Sequence, residues 1–131
     1  MEKRIHWDLT QEIIGAFYTV YNEFGYGFLE NVYKNALILE LQTRNVKAER
    51  EVPVELLYLG SCVGLYRIDM LVGERVLVEV KSSNAIGESD NRQLFNYLRA
   101  SSKQVGLLLH FGPRPVHKRF VWTGKHFNSQ S

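Results

Sequence analysis

The chain of 131 residues has little cysteine and little proline, with one cysteine, Cys62, and three prolines. A single thiol excludes an intrachain disulfide and is compatible with a reducing compartment, so we expect a cytoplasmic protein. Residues 1–8 lack the apolar run of a signal peptide, and no stretch approaches the ~20 apolar residues that span a bilayer. We therefore expect no association with a membrane.

Motifs of several well-known reaction and binding sites are missing as well. There is no G-x-S-x-G elbow of a hydrolase and no glycine fingerprint of a dinucleotide-binding fold. Gly124 and Lys125 lack the upstream glycine of a phosphate-binding P-loop. The four histidines are scattered and have no cysteine cluster to complete a zinc site. These absences argue against nucleotide, dinucleotide and zinc-based functions.

Hydrophobic periodicity divides the chain into eight elements of one domain. Hydrophobic residues make up 45% of the sequence, and its length suits a single domain, 1–131, with a core over about 9–121 and frayed termini. The predicted order is two helices that meet at a glycine turn, strands over 46–59, 62–71 and 75–81, a helix over 88–101, and strands over 105–111 and 117–122. This order predicts an α/β fold in which helices flank a mixed central β-sheet.

The strongest candidate for a reaction site is the set of Asp69, Glu79 and Lys81. Side chains alternate along a strand, so Glu79 and Lys81 share one face with a leucine while three valines take the other. A two-residue turn before this strand would pair Asp69 with Val78 and send Glu79 to the opposite face. The site therefore requires a three-residue turn or a β-bulge, which brings Asp69 opposite Glu79.

Two neighbouring carboxylates need a positive partner, because at about 4 Å they repel by roughly 4 kcal/mol at an effective dielectric constant of about 20. Mg²⁺ is often held by one or two carboxylates together with water and substrate phosphate. Asp69 and Glu79 are thus candidate ligands of Mg²⁺, with Mn²⁺ as an alternative, and Lys81 could position water or stabilise developing negative charge. The competing interpretation is a Glu79 and Lys81 pair on a solvated strand face, which the short D…ExK pattern alone would favour.

Polar residues on the predicted helices add to this candidate site. Glu30 falls at the edge of the apolar stripe of the second helix, so it could face the sheet. Gln93 and Tyr97 are i,i+4 neighbours on the third helix and line one face of it. Two alternatives stay open, since Gln93 could cap that helix together with Asp90, and Tyr97 could pack in the core.

Basic residues concentrate near the C-terminus, although a net charge of +2 is too small to indicate nucleic-acid binding by itself. The basic residues among the last eighteen positions are Arg114, His117, Lys118, Arg119, Lys125 and His126. A local stripe of this kind, centred on Arg114, Lys118 and Arg119, could contact the phosphates of a nucleic acid. A solvated strand and tail explains the same residues equally well.

Several ordered blocks resemble a known family. Residues 27–33, GFLENVY, match the pattern of the GxxExxY proteins, which are similar to the PD-(D/E)xK nuclease superfamily. Further matching blocks follow in the family's order, namely 66–69 (YRID), 78–81 (VEVK), 93–98 (QLFNYL) and 106–112 (GLLLHFG). The resemblance covers about residues 9–121. Tyr21, Tyr26 and His110 depart from the pattern, which more often has His, Pro and Asn there.

The resemblance implies a restriction-endonuclease-like core and a metal-dependent nuclease that hydrolyses phosphodiester bonds. Its catalytic set would be Asp69, Glu79, Lys81, Glu30 and Gln93, with Asp69, Glu79 and Glu30 at the metal. The substrate would be nucleic acid, DNA in preference to RNA, and Tyr97 would join the basic residues in binding it. The alternative is a nuclease-like fold without catalysis that binds nucleic acid or a protein partner, and the small size leaves a homodimer or partner protein open.

Overall fold

The computed structural model describes residues 4–124, which fold into three helices and five strands. The helices are α1 (Trp7–Phe24), α2 (Glu30–Thr43) and α3 (Glu88–Ser101), and the strands are β1 (Ala48–Tyr58), β2 (Ser61–Val72), β3 (Val76–Lys81), β4 (Val105–Phe111) and β5 (Pro115–Val121). The predicted order of elements is confirmed, and the bounds of α3 and β4 agree with the prediction. None of the helices in this described part is long and apolar enough to cross a membrane.

The strands form one mixed sheet in the order β1-β2-β3-β4-β5. β3 and β4 are parallel, while the other neighbouring strands are antiparallel. A parallel pair needs a crossover connection, and α3 provides it between β3 and β4. The predicted α/β fold, a mixed sheet flanked by helices, is therefore confirmed.

The central strands β3 and β4 are buried on both faces. The three valines of β3 pack with residues of α1 and α2 in one apolar cluster. On the other face Leu77 of β3 and Leu108 of β4 pack with residues of α3 in a second cluster. All residues of β4 are buried, as its unbroken apolar run predicts for a strand covered on both sides. Leu77 and Glu79, which point toward α3 from β3, are therefore shielded from solvent, whereas Lys81 at the end of the strand is partly exposed.

β1 is an edge strand of the sheet, which explains how it accommodates Pro53. The pairing of β1 with β2 is interrupted at Glu51, whose φ is 53° and which lies level with Asp69. At the far end of the hairpin the side chains of Leu57, Tyr58 and Leu59 are exposed. A proline within a strand predicts an edge strand or a bulged strand, and the position of β1 at the edge of the sheet agrees with this prediction.

Tyr33 holds the turn between α1 and α2. Its buried ring stacks on that of Phe111 in β4, with the ring centroids 4.1 Å apart. Its hydroxyl donates to the carbonyl oxygen of Gly25 at 2.7 Å and accepts from the backbone N–H of Phe28 at 3.2 Å. These contacts fix the glycine turn that leads into Glu30, the first residue of α2.

Replacement of Tyr33 by Phe tests whether the hydroxyl holds this turn. The loss of two buried hydrogen bonds, with the ring unchanged, should lower the free energy of unfolding by about 1–2 kcal/mol. Urea unfolding followed by circular dichroism measures the change, and Tyr58→Phe at the exposed end of β1 is the matched control. Equal stability of the two variants would show that the hydroxyl does not hold the turn.

Candidate active site

The register between β2 and β3 brings Asp69 opposite Glu79. The pairs that set it are Met70 with Val78, Leu71 with Leu77, and Val72 with Val76. Beyond them, side chains link the strands, because Asp69 N donates to Glu79 Oε1 at 3.0 Å and Val80 N donates to Asp69 Oδ2 at 2.8 Å. The turn therefore contains three residues, and the requirement derived from the sequence is confirmed.

Glu79 is buried, with 5% of its surface exposed. Burial and the charge of Asp69 raise the pKa of Glu79 to about 7, against the opposing effects of the Asp69 backbone N–H and of Lys81 and Lys34. The competing interpretation of a solvated strand face is therefore wrong. A buried acid that ionises only near neutral pH, beside a second carboxylate, makes this position attractive to a cation.

Lys81 ends β3 on the same face as Glu79. Its Nζ lies 3.8 Å from Asp90 Oδ1 on α3, and both side chains are partly exposed. Asp90 Oδ2 also accepts from the backbone N–H of Gly87 at 3.0 Å, so Asp90 caps α3 at Gly87 and not together with Gln93. The alternative assignment of Gln93 as the partner of Asp90 in a cap is therefore wrong.

Lys34 of α2 also contacts Asp69, although the only feature of the sequence that points to this lysine is its position four residues after Glu30. Its Nζ lies 2.8 Å from Asp69 Oδ1 and 3.8 Å from Glu51 Oε2. Burial disfavours the charged form, but the hydrogen bond and charge of Asp69, with smaller effects of Glu51 and Glu30, raise the pKa of Lys34 above its ordinary value. Lys34 therefore stays protonated at neutral pH.

Glu30 is half-buried at the first turn of α2, where its charge acts on Lys34. Within residues 4–124, no three His, Cys, Asp or Glu side chains are grouped as a set of metal ligands. The structure thus brings Asp69 and Glu79 together, whereas Glu30 stands apart from them and acts on Lys34 only through its charge.

Gln93 and Tyr97 of α3 line a cleft that Tyr66 of β2 also borders, with a volume of about 250 Å³. Gln93 is exposed, whereas Tyr97 is 6% exposed and its ring centroid lies 5.3 Å from that of Tyr66. Burial, followed by the charges of Glu79 and Asp69, raises the pKa of Tyr97. The phenol in this cleft is therefore within electrostatic reach of the two acids. Tyr97 therefore packs in the second apolar cluster and also lines this cleft.

Lys118 of β5 shares a sheet face with the two acids. It pairs with Leu108, which in turn pairs with Glu79, so two strand spacings, roughly 10 Å, separate the backbones of Lys118 and Glu79. Arg114 is exposed in the turn after β4, at the end of the sheet where Lys81 ends β3. Lys118 is therefore on the same face of the sheet as the acids, and Arg114 is at the same end of the sheet as Lys81.

Arg119 lies on the opposite face of β5 from Lys118. It donates to the carbonyl oxygen of Ile5 at 2.6 Å and lies over the ring of Trp7, 5.5 Å from its centroid. Arg119 thus holds the N-terminal segment against the sheet, and the predicted basic stripe is divided between two faces. Lys125 and His126, which the sequence also assigned to it, lie outside the described residues.

A larger cavity, of about 590 Å³, lies at the other end of β3. It is bounded by Glu74 and Arg75 of the β2–β3 turn and by residues that follow α3 and β5. None of the predicted site residues lines it. The raised pKa of the buried Glu79 therefore marks the candidate site better than cavity size does.

Comparison with known families decides what kind of protein this is. A family model described as the PD-(D/E)XK nuclease superfamily matches residues 7–120. This chain belongs to the PD-(D/E)XK nuclease superfamily. Its Asp69, Glu79 and Lys81 have the D…ExK spacing for which the superfamily is named. Membership of the narrower GxxExxY family stays a prediction from residues 27–33.

Solved structures add a likeness of fold. The crystal structure of SSO0001 matches this PD-(D/E)XK chain with a TM-score of 0.53 and 23% sequence identity, over 70% of this chain and 48% of that one. This chain therefore spans about half the length of that protein, and the likeness concerns the fold alone. A comparison with curated proteins finds no match.

Nucleases of the PD-(D/E)XK superfamily usually use divalent metal ions, and the residues of this chain fit such an ion. Asp69 and Glu79 offer carboxylate oxygens, which are the ligands that Mg²⁺ prefers. Each carboxylate already accepts one backbone N–H, which fixes its orientation and leaves further lone pairs for a metal. The donor set is therefore suited to an ion that keeps several waters.

The raised pKa of Glu79 leads us to expect that the metal-free protein loses stability as the pH rises. The unfolded chain releases this proton near the ordinary pKa of 4.5, whereas the folded protein keeps it up to about 7. Between these values the folded state binds the extra proton, so the free energy of unfolding should fall by up to about 3 kcal/mol from pH 4.5 to above pH 7. Glu79→Gln should abolish this fall.

Urea unfolding in the presence of a chelator, at about pH 5 and about pH 8, measures the effect. Glu55→Gln, at an exposed position of the edge strand, is the control and should keep the wild-type pH dependence. If the stability difference between wild type and Glu79→Gln is the same at both pH values, burial does not hold the proton on Glu79.

Proposed function

We propose that this protein is a metal-dependent nuclease that hydrolyses phosphodiester bonds of nucleic acid. The observation that carries the proposal is the pair of buried Glu79 and half-buried Asp69, each of which accepts a hydrogen bond from the backbone of the other's strand, with Lys81 on the same face. A structural role would not require a buried carboxylate beside a half-buried one, since apolar residues would stabilise the sheet better. Membership of the nuclease superfamily supports the same conclusion.

Asp69 and Glu79 are proposed to hold Mg²⁺ or Mn²⁺. Asp69 and Glu79 would be neutralised by such an ion, which would supply Lewis acidity to activate water for attack on a phosphate. The backbone N–H groups of Asp69 and Val80 keep the two carboxylates in place before the ion arrives. This preorganisation reduces the reorganisation that metal binding would otherwise require.

Lys81 is proposed to act on the reacting phosphate. Hydrolysis joins a water oxygen to phosphorus and breaks one ester bond, the proton of the water passing to solvent and the leaving oxygen taking up another. An ammonium at this position stabilises the negative charge that builds up on the phosphoryl oxygens. The pair with Asp90, at 3.8 Å and partly exposed, contributes about 1 kcal/mol or less, so it does not prevent Lys81 from turning to the phosphate.

Glu30 and Gln93 are proposed to support these residues. Glu30 would act on the metal site through Lys34 or through a water, because it is half-buried one helical turn before that lysine. Gln93 would contact the substrate, because its side chain is exposed in the cleft that Tyr97 also lines.

The substrate is proposed to be DNA in preference to RNA, bound across the α3 face. Lys118 and Arg114 would contact phosphates, and Tyr97 would contact the substrate from the cleft, whereas Arg119 is engaged at the N-terminal segment. A small domain has a limited contact surface, so a homodimer or a protein partner is proposed to extend it. The exposed thiol of Cys62 is compatible with the cytoplasm as the location.

Cleavage assays with Lys81→Ala test the proposed reaction. Plasmid, linear and single-stranded DNA and RNA are incubated with Mg²⁺, with Mn²⁺ and with chelator. We expect metal-dependent cleavage by the wild type and a loss of about 10²- to 10³-fold in the variant, because a positive charge at the phosphate is removed. Lys47→Ala, at a lysine that is 70% exposed, is the matched control and should cleave normally.

Thermal unfolding of the same proteins separates loss of chemistry from loss of metal. Metal that binds only the folded state raises the melting temperature, and this shift should persist in Lys81→Ala and disappear in Asp69→Asn. A folded wild type that shows neither cleavage nor a metal-dependent shift would instead support a non-catalytic binding module. Cleavage that Lys81→Ala retains would remove Lys81 from the proposed mechanism.

Nucleic-acid binding by Lys118→Gln tests the assignment of the phosphate contacts. Loss of one phosphate contact should weaken binding for all sequences and should reduce the slope of log K against log salt by about 1. Fluorescence anisotropy with labelled DNA in Ca²⁺, across a range of salt concentrations, measures this slope, with Lys47→Gln as the control. An unchanged slope in Lys118→Gln would place the substrate away from β5.

A further inference from the structure

Lys34 is a buried cation to which the proposed reaction gives no direct contact with the metal or the substrate. It is 9% exposed, and its Nζ lies 2.8 Å from Oδ1 of Asp69. The other oxygen of Asp69, Oδ2, accepts the backbone N–H of Val80. Both oxygens of this carboxylate are therefore already engaged, one of them by a full positive charge.

Lys34 compensates an accumulation of acids in the sheet. Glu51 of β1, Asp69 of β2 and Glu79 of β3 lie at one level on three neighbouring strands. A divalent ion bound to Asp69 would sit about 2 Å from its carboxylate oxygen. The ion and the Lys34 ammonium would then share one carboxylate, and their like charges would repel each other in a largely buried site.

The structure offers Lys34 another position. Glu51 Oε2 lies 3.8 Å from Nζ, and Glu30 lies one turn earlier on α2, where its charge acts on Lys34. The lysine side chain is long and has several rotatable bonds. Lys34 can therefore leave Asp69 and keep acidic neighbours, which makes its displacement by another cation feasible.

We propose that Lys34 is a tethered counter-cation that neutralises Asp69 in the metal-free protein and is displaced when a divalent ion binds. This inference rests on the proposed function, since it takes Asp69 and Glu79 as metal ligands. Lys34 thus sets the metal concentration at which the site fills. It is a positioning residue, because it acts through Asp69 and not on the substrate.

Metal titration of Lys34→Gln tests this inference by a measurement that does not depend on cleavage. Isothermal calorimetry and melting temperature are followed with MgCl₂ and with MnCl₂. Removal of a competing charge-assisted hydrogen bond should lower the metal concentration for half-saturation by about tenfold. Without metal, Lys34→Gln should melt below the wild type, and saturating metal should remove most of that difference.

Three variants make the titration specific. Lys34→Arg keeps the charge and should bind metal within about threefold of the wild type, because it restores the competing cation. Lys47→Gln removes an exposed lysine and should leave binding unchanged. Lys34→Met keeps the apolar stem and replaces Lys34→Gln in the titration if the glutamine variant does not fold.

The outcomes distinguish this inference from the proposed function. If the wild type binds metal but the neutral variants of Lys34 bind it equally or more weakly, Lys34 does not compete, and only this inference is overturned. If neither the wild type nor any variant binds metal, both the inference and the proposed metal-dependent function are overturned. Tighter binding in Lys34→Gln together with near-normal binding in Lys34→Arg supports the inference.

Discussion

The two hydrogen bonds that join Asp69 and Glu79 to each other's strands are the constraint on which the site depends. Backbone pairing of β2 with β3 extends from Val72 to Met70, and the side chains of the two acids take over the linkage at the next position. Each bond satisfies a backbone N–H that would otherwise lack a partner where the strands separate. The same contacts therefore end the backbone pairing of β2 with β3 and orient both carboxylates.

This arrangement stabilises the site at the expense of the metal-free fold. Burial and a neighbouring carboxylate disfavour the charged form of Glu79. The positive charges of Lys34 and Lys81 partly offset this effect on Glu79. Lys34 is held by its ion pair with Asp69, and Lys81 by its ion pair with Asp90. Removal of either acid would relax the repulsion, so function and stability place opposite demands on these positions. The proposed metal ion would resolve this conflict, because it would satisfy both carboxylates at once.

The sequence predicted the fold well because its elements are strongly patterned. The unbroken apolar run of β4 and the alternation in β3 decided the buried strands, and Pro53 indicated the edge. The register between β2 and β3 could be stated only as a requirement of the site, because a two-residue turn and a three-residue turn both fit the local sequence. Contacts between distant elements were beyond the sequence altogether. Nothing in the neighbourhood of Lys34 shows that it meets Asp69, thirty-five positions further on.

The basic residues illustrate a different limit of the sequence. Successive side chains of a strand point to opposite faces of the sheet, so Lys118 and Arg119 cannot both contact the phosphates of a nucleic acid bound on one face. Their faces follow from the pairing of β5 with β4, which the sequence alone does not supply. The pairing gives Lys118 the face of the acids and gives Arg119 a structural contact with Ile5.

Tyr21, Tyr26 and His110, which depart from the GxxExxY pattern, each link two segments of the chain near the Lys81 end of the sheet. Tyr21 donates to the carbonyl oxygen of Gly112 at 2.6 Å, Tyr26 donates to the side chain of Asn84, and His110 Nε2 donates to the carbonyl oxygen of Ser83 at 2.8 Å. These bonds join α1 to the residue after β4, the turn before α2 to the loop after β3, and the end of β4 to that same loop. Because each bond joins two different segments, a change at one of these positions alters the support of the others. The segments beside Lys81 are thus held together by side chains, which fixes the end of the sheet at which this lysine lies.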